Sequence, residues 1–222
     1  MFDITLETVG IAGIFFFTVW ELWGEYLQGK KIWKKESGES VSFTAYGIHN
    51  AVFAATLIYG LTLGSIAYIV NGAFVLPVLI WILVGLFTYK KHSKKERIQV
   101  CLLLLAIALM GTFAVLRQYA WVEIMAFLFL VSVVWAELQM LWELYRGRGT
   151  GAFEIRTNLV WLASNSFFFL YSYAIRDWVF FTTTGSLVVI QTVITLIYLK
   201  KRKEVIPLAP ITTTIPDDTP SP

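Results

Sequence analysis

The chain of 222 residues is 57% hydrophobic and only 15% charged, with a mean hydropathy of +0.67. Soluble domains carry about 45–50% apolar and about 25% charged residues, so this much apolar surface calls for lipid as its solvent. A net charge of +3 is too small to point to nucleic acid, and a single cysteine, Cys101, excludes an intramolecular disulfide and a Cys-rich metal site.

A helix needs about 20 mostly apolar residues to cross a hydrocarbon core of roughly 30 Å. The stretches that qualify are 8–28, 43–63, 66–89, 98–116, 121–142, 154–175 and 178–199. The first carries Glu21 and Glu25. Asp3 and Glu7 precede it in place of a basic segment, so it reads as a retained helix and not as a cleaved signal peptide. Leu63-Gly64-Ser65 parts the second from the third, which would be too long as one helix. Pro77 in the third removes a backbone donor and permits a kink, a candidate gate hinge. The fourth has no charge between Ile98 and Leu116, and the fifth carries Glu137. Trp121 and Trp178 stand at span ends as interfacial anchors, and Arg176-Asp177 reads as a local ion pair. Beyond Glu204 the chain turns to Pro, Thr, Asp and Ser, so 205–222 is expected to be a disordered cytosolic tail.

Charge sets the expected orientation. With seven spans, every Lys and Arg except Arg117 and Arg176 falls in the loops of one side, including Lys30, Lys31, Lys94, Arg97, Arg146, Arg148 and Lys201. Short cytoplasmic loops collect positive charge, which predicts the N-terminus outside and the C-terminus inside. A plasma membrane is the default location.

The two halves resemble each other. A shift of 115 pairs Val19-Trp20 with Val134-Trp135, Lys31 with Arg146, Tyr46 with Trp161, Asn50 with Asn165 and Phe53 with Phe168. The third helices match after closing six residues, Tyr89-Lys90-Lys91 against Tyr198-Leu199-Lys200-Lys201. The expected organisation is a first three-helix repeat over 1–97, a linker helix in 98–120, and a second repeat over 121–204. An odd linker sends both repeats into the membrane in the same direction, and parallel repeats of this kind hold a substrate at their interface near the midplane. The fold class is therefore an all-α membrane protein of seven spans arranged 3+1+3.

Several segments carry a family resemblance: Ile58-Tyr59-Gly60 at the end of the second helix, Asn71-Gly72 opening the third with Tyr89 at its end, Asp177 and Gln191 near the last helix, and Leu138-Gln139 ahead of a basic loop. In this plan and these segments the chain resembles the SWEET sugar carriers and the wider PQ-loop (MtN3/saliva) family. The resemblance implies a transporter, with Asn71 in the place of a binding asparagine and Gln139 in that of the family dipeptide's glutamine. Two departures stand out. Neither first helix has the family's proline, Leu22 and Leu138 standing there, and Phe180-Phe181-Thr182-Thr183-Thr184 occupies the stretch of the second asparagine, leaving Thr183 as the candidate.

Tyr46, Asn50 and Phe53 lie at i, i+4 and i+7 on one helical face, and Trp161, Asn165 and Phe168 repeat the arrangement. An aromatic ring beside an amide suits a sugar, since the ring packs on the C–H face while the amide reads hydroxyls as donor and acceptor. The same asparagines also suit helix-to-helix hydrogen bonds. Glu21 and Glu137 are candidates for proton coupling, or else hold helices together, paired with His49 or with backbone. His49, about 100° round the helix from Asn50, has no companions at ligand spacing and makes no metal site.

The leading expectation is a facilitative carrier of a small polar solute, a sugar first, with no cofactor. The alternative within transport is a proton-coupled PQ-loop carrier of an amino acid. A KDEL-receptor-like role is a third reading. A membrane terpene cyclase is a fourth, suggested by Arg146-Gly147-Arg148-Gly149-Thr150-Gly151. The second and seventh helices contain no Asp or Glu to protonate a terpene, so an enzyme is not expected. Expected partners are the solute and membrane lipids, with assembly into a homo-oligomer left open.

Overall fold

A computed structural model describes residues 5–147, 149–176 and 178–204. Arg148, Asp177, the side chain of Trp178 and the expected tail at 205–222 lie outside the described residues. The described residues form seven helices: α1 (Leu6–Lys35), α2 (Phe43–Leu63), α3 (Ile66–Tyr89), α4 (Lys94–Val115), α5 (Tyr119–Arg146), α6 (Ile155–Ile175) and α7 (Trp178–Glu204). α1 and α5 run past the expected limits of 28 and 142. Their last turns carry Lys34, Lys35 and Arg146, cations that suit the negative end of a helix dipole.

Local chemistry marks the boundaries. Ser42 accepts from the Ala45 N–H to start α2, and Gly64, left-handed at φ 67°, ends it by donating to the Gly60 carbonyl. α4 opens with a reciprocal capping box between Ser93 and Glu96.

α3, α4, α5 and the segment Phe181–Lys203 of α7 are each long and apolar enough to cross a membrane. α1, α2 and α6 are diluted by Glu21, Glu25, Gln28, His49, Asn50, Asn158, Ser164 and Asn165, and every one of these is buried. The polar residues that weaken these three helices as spans face protein, where lipid cannot reach them.

α3 packs against both α1 and α2, whose backbones stay apart among the described residues while the Tyr46 side chain bridges to Glu25; α7 packs between α5 and α6 in the same way. Each repeat is thus a bundle with its third helix in the middle. Gly60 and Gly72 bring α2 and α3 close together. A Cβ on Gly72 would lie 2.8 Å from the Leu57 Cβ and 2.9 Å from the Phe53 carbonyl oxygen. Between the bundles α1 meets α6 and α2 meets α5, while the α4 backbone lies against α2 and α5. The seam between the bundles is therefore walled by α1, α2, α5 and α6, the elements that carry most of the buried polar groups.

Candidate functional site

Four helical stripes meet at the seam. α1 presents Glu21, Glu25 and Gln28 at i, i+4 and i+7, and α6 presents Thr157, Trp161 and Ser164 at the same spacing. α2 adds Tyr46 and His49, and α5 adds Glu137 and Met140, each pair at i and i+3.

Glu25 lies at the centre. One carboxylate oxygen accepts from Tyr46 Oη at 3.0 Å within the first bundle, and the other accepts from Trp161 Nε1 at 2.7 Å across the seam. His49 Nε2 lies 3.5 Å from Glu137 Oε1, a second link between bundles. The His49 ring stands 5.7 Å from Tyr46 and 5.9 Å from Trp161, and its Nδ1 is buried without a hydrogen-bond partner. Toward the opposite end from the basic loops, Glu21 accepts from Ser164 Oγ at 2.8 Å and from Asn71 Nδ2 at 3.3 Å. α1 and α6 touch closely at Gly24, whose carbonyl accepts from Thr157 Oγ1 at 2.5 Å.

The cavity lined by Glu25, Gln28, Tyr46, His49, Glu137 and Trp161, among others, measures about 20 Å³. One water needs at least ~10–15 Å³, so the seam is closed around space for about one water. A latch seals it toward the basic loops. Gln28 Nε2 donates to the Ala152 carbonyl at 2.9 Å, and Gln28 Oε1 accepts from the Glu154 N–H at 2.7 Å. Lys31 reaches the Phe153 carbonyl and lies 3.6 Å from Glu154, and Lys35 donates to the Gly151 carbonyl at 2.9 Å. Glu154 lies ahead of α6, outside the spanning helices. Burial pushes its carboxyl up, but hydrogen bonds from Arg156 and the charges of Lys31 and Arg156 hold it below the usual carboxylate range.

Of the residues expected from sequence, Tyr46, Trp161 and Glu137 line the cavity and Glu21 lies next to it. Asn50 and Asn165 do not line it. Asn50 Nδ2 donates to the carbonyls of Tyr46 and Leu79, tying α2 to α3, and Asn165 Nδ2 donates to Gln191 Oε1, tying α6 to α7. A buried amide must find partners, and the middle helix of its own bundle supplies them first. Asn50 Oδ1 is left buried and unpartnered. Asn71 serves Thr18 and Glu21 rather than open space. Thr183 is buried on α7, Gln139 is half-buried away from the cavity, and Pro77 sits inside an α3 that continues past it. Glu25, Gln28 and His49 are among the lining residues that the repeat argument passed over. Their signal was the polar stripe along α1 and the 100° turn that takes His49 away from Asn50 toward α5.

The geometry also settles a misfit in the repeat. The shift of 115 pairs His49 with Ser164 but misses Glu21 and Glu137 by one residue. In space Glu21 meets Ser164 as Glu137 meets His49, so the two glutamates are equivalents displaced by one position.

These features define a class: an all-α integral membrane protein of two parallel three-helix bundles joined by a linker helix, with a polar seam between them. No protein-family model matches the chain, and no curated protein matches it. Among solved structures it is similar to a eukaryotic SWEET transporter, with a TM-score of 0.56 and 16% identity over 87% of this chain and 98% of that one. The shared property is the SWEET-like fold.

Proposed function

We propose that the chain is a facilitative carrier that moves a small polar solute, a sugar, by alternating access between its two bundles. The observation that carries this reading is Glu25 bonded to Tyr46 in one bundle and to Trp161 in the other. A site built from both halves is made and broken as they rock, which is how parallel-repeat carriers, SWEETs among them, expose a midplane site to each side in turn. In the sugar-bound state Trp161 packs on a pyranose C–H face, and Glu25 and Glu137 exchange hydrogen bonds with its hydroxyls. Asn50 and Asn165 hold their bundles rigid behind the site, with Asn50 Oδ1 as a spare acceptor. The basic loops and the C-terminus face the cytosol, so the latch at Gln28 closes the inner mouth. The units are the two repeats, 1–97 and 121–204, with 98–120 as the linker. The likeness to a transporter and a site with solute ligands but no initiating step favour a carrier over an enzyme.

One observation favours a second reading. Glu21, Glu25 and Glu137 share the seam with His49, and no Lys or Arg lies in the middle of any span. Such a cluster suits proton exchange, with an amino acid as solute. Counterflow in proteoliposomes across a panel of labelled sugars and amino acids tests both. Sugar exchange at symmetric pH, lost in Trp161→Ala, supports the carrier. Accumulation driven by a proton gradient refutes uniport, and no exchange of any solute refutes the transport reading.

A further inference from the structure

A second, larger cavity lies away from the seam. It is a groove of about 360 Å³ whose walls include Phe43 of α2, Leu83 and Phe87 of α3, and Val100 and Leu104 of α4. It exists because α3 and α4 follow one another in sequence yet keep their backbones apart among the described residues, α4 leaning on α2 and α5 instead. Val84, Phe87 and Leu104 are at least half exposed along it, at 50%, 58% and 56%. Its volume falls within the roughly 300–1,000 Å³ of small-molecule sites, but apart from Arg97 and Cys101 its walls are apolar side chains.

One lining residue is charged. Arg97 is exposed at the end of the groove nearest the basic loops and has no ion pair among the described residues. Lys91, Lys94 and Lys95 nearby are likewise unpaired, while Lys90 is taken by Glu143 at 2.9 Å and Glu96 by its capping box. His92 stacks on Phe43 and Phe87, at 4.6 and 4.9 Å between ring centres, and its buried Nδ1 has no hydrogen-bond partner. Burial and the nearby Arg97 hold His92 below the ordinary histidine range, so at neutral pH it offers an uncharged ring with a polar atom to satisfy. An apolar slot open to the bilayer, ending in uncompensated cations at the headgroup level, matches one kind of ligand.

We propose that the groove between α3 and α4 binds an anionic phospholipid, with an acyl chain against Phe87 and Leu104 and the phosphate at Arg97 and the 91–95 loop. Basic pockets between helices on one side of a membrane recognise anionic headgroups in this way. The lipid fills a gap that helix packing leaves empty, and so ties the linker helix to the first bundle. A zwitterionic lipid fits the slot equally well but is not held by the cations. The proposal is independent of what the seam transports.

Native mass spectrometry of the full chain in detergent, titrated with palmitoyl-oleoyl phosphatidylglycerol or with the phosphatidylcholine of the same chains, tests it. The expected result is at least fivefold more phosphatidylglycerol adduct at equal lipid. Arg97→Gln should abolish that preference, while Leu104→Trp, which fills the slot from a lipid-facing position, should lower adducts of both lipids. Val84→Trp repeats the second arm should Leu104→Trp not fold. Equal binding of the two lipids, or an unchanged preference in Arg97→Gln, overturns the proposal. So does glycerol phosphate alone displacing the lipid completely, since that places the binding in the headgroup without the groove, or a dimer mass that excludes lipid, since that puts a second copy in the slot.

Discussion

Gln28→Ala isolates the latch. Gln28 is 1% exposed, and its amide makes two hydrogen bonds, to the Ala152 carbonyl and from the Glu154 N–H. Truncation leaves both backbone groups unpaired in the closed seam, whereas in a state open toward the basic loops water satisfies them. Each net hydrogen bond is worth about 0.5–1.5 kcal/mol, so the closed state loses about 1–3 kcal/mol relative to the open one. A shift of that size changes an equilibrium by roughly 5–150-fold. The assay is thiol labelling of Met140→Cys, a seam position 5% exposed, in a Cys101→Ala background with reagent applied on the basic-loop side. Labelling should quicken by at least fivefold in Gln28→Ala. It should quicken further in Gln28→Glu, which keeps the acceptor but replaces the donor facing Ala152 with an anion. Unchanged labelling in both variants, with normal thermal unfolding, would refute the latch. Equal acceleration from the opposite side would show loosening of the whole seam and refute it too.

Gly72→Val should destabilise the protein by about 1–3 kcal/mol of overpacking, read as a lower unfolding temperature in detergent, because its Cβ meets Leu57 and the Phe53 carbonyl of α2. Gly111→Ala, whose new Cβ finds only Ile58 Cδ1 at 4.0 Å, should leave it unchanged. In proteoliposome exchange Glu25→Gln should lose at least tenfold, since it replaces one of the two oxygens that accept from Tyr46 Oη and Trp161 Nε1 with an NH2 donor. Under uniport Glu21→Gln and Glu137→Gln should preserve concentration-driven exchange, and a strict proton requirement in either would count against it. A cysteine at Lys94 should label from the cytosol and one at Arg117 only from outside. Labelling of both from one face would overturn the seven-span orientation.

Much of the fold was legible in the sequence because the signals are local. Hydropathy located the helices, Gly64 marked the break between α2 and α3, and the Tyr46-Asn50 and Trp161-Asn165 stripes exposed the two halves. The site was less legible. Asn50 and Asn165 have the spacing of solute ligands, yet carbonyls and side chains of the middle helices lie closer to them than the seam does. Glu25 was visible as a carboxylate one turn from Glu21 on α1, but its Trp161 partner is 136 residues away.

What the sequence determined alone is the set of elements, the repeat and the lopsided charge, each a property of neighbouring residues or of composition. Only the tertiary structure decided which polar groups meet. That depends on how far each helix is rotated about its axis. A slip of one residue turns a side chain by about 100°, enough to exchange seam for bundle interior. Close contacts such as Gly72 on Leu57 and Gly24 beside Thr157 set that rotation. They join residues 15 to 133 positions apart, beyond the reach of any pattern of period 3.6.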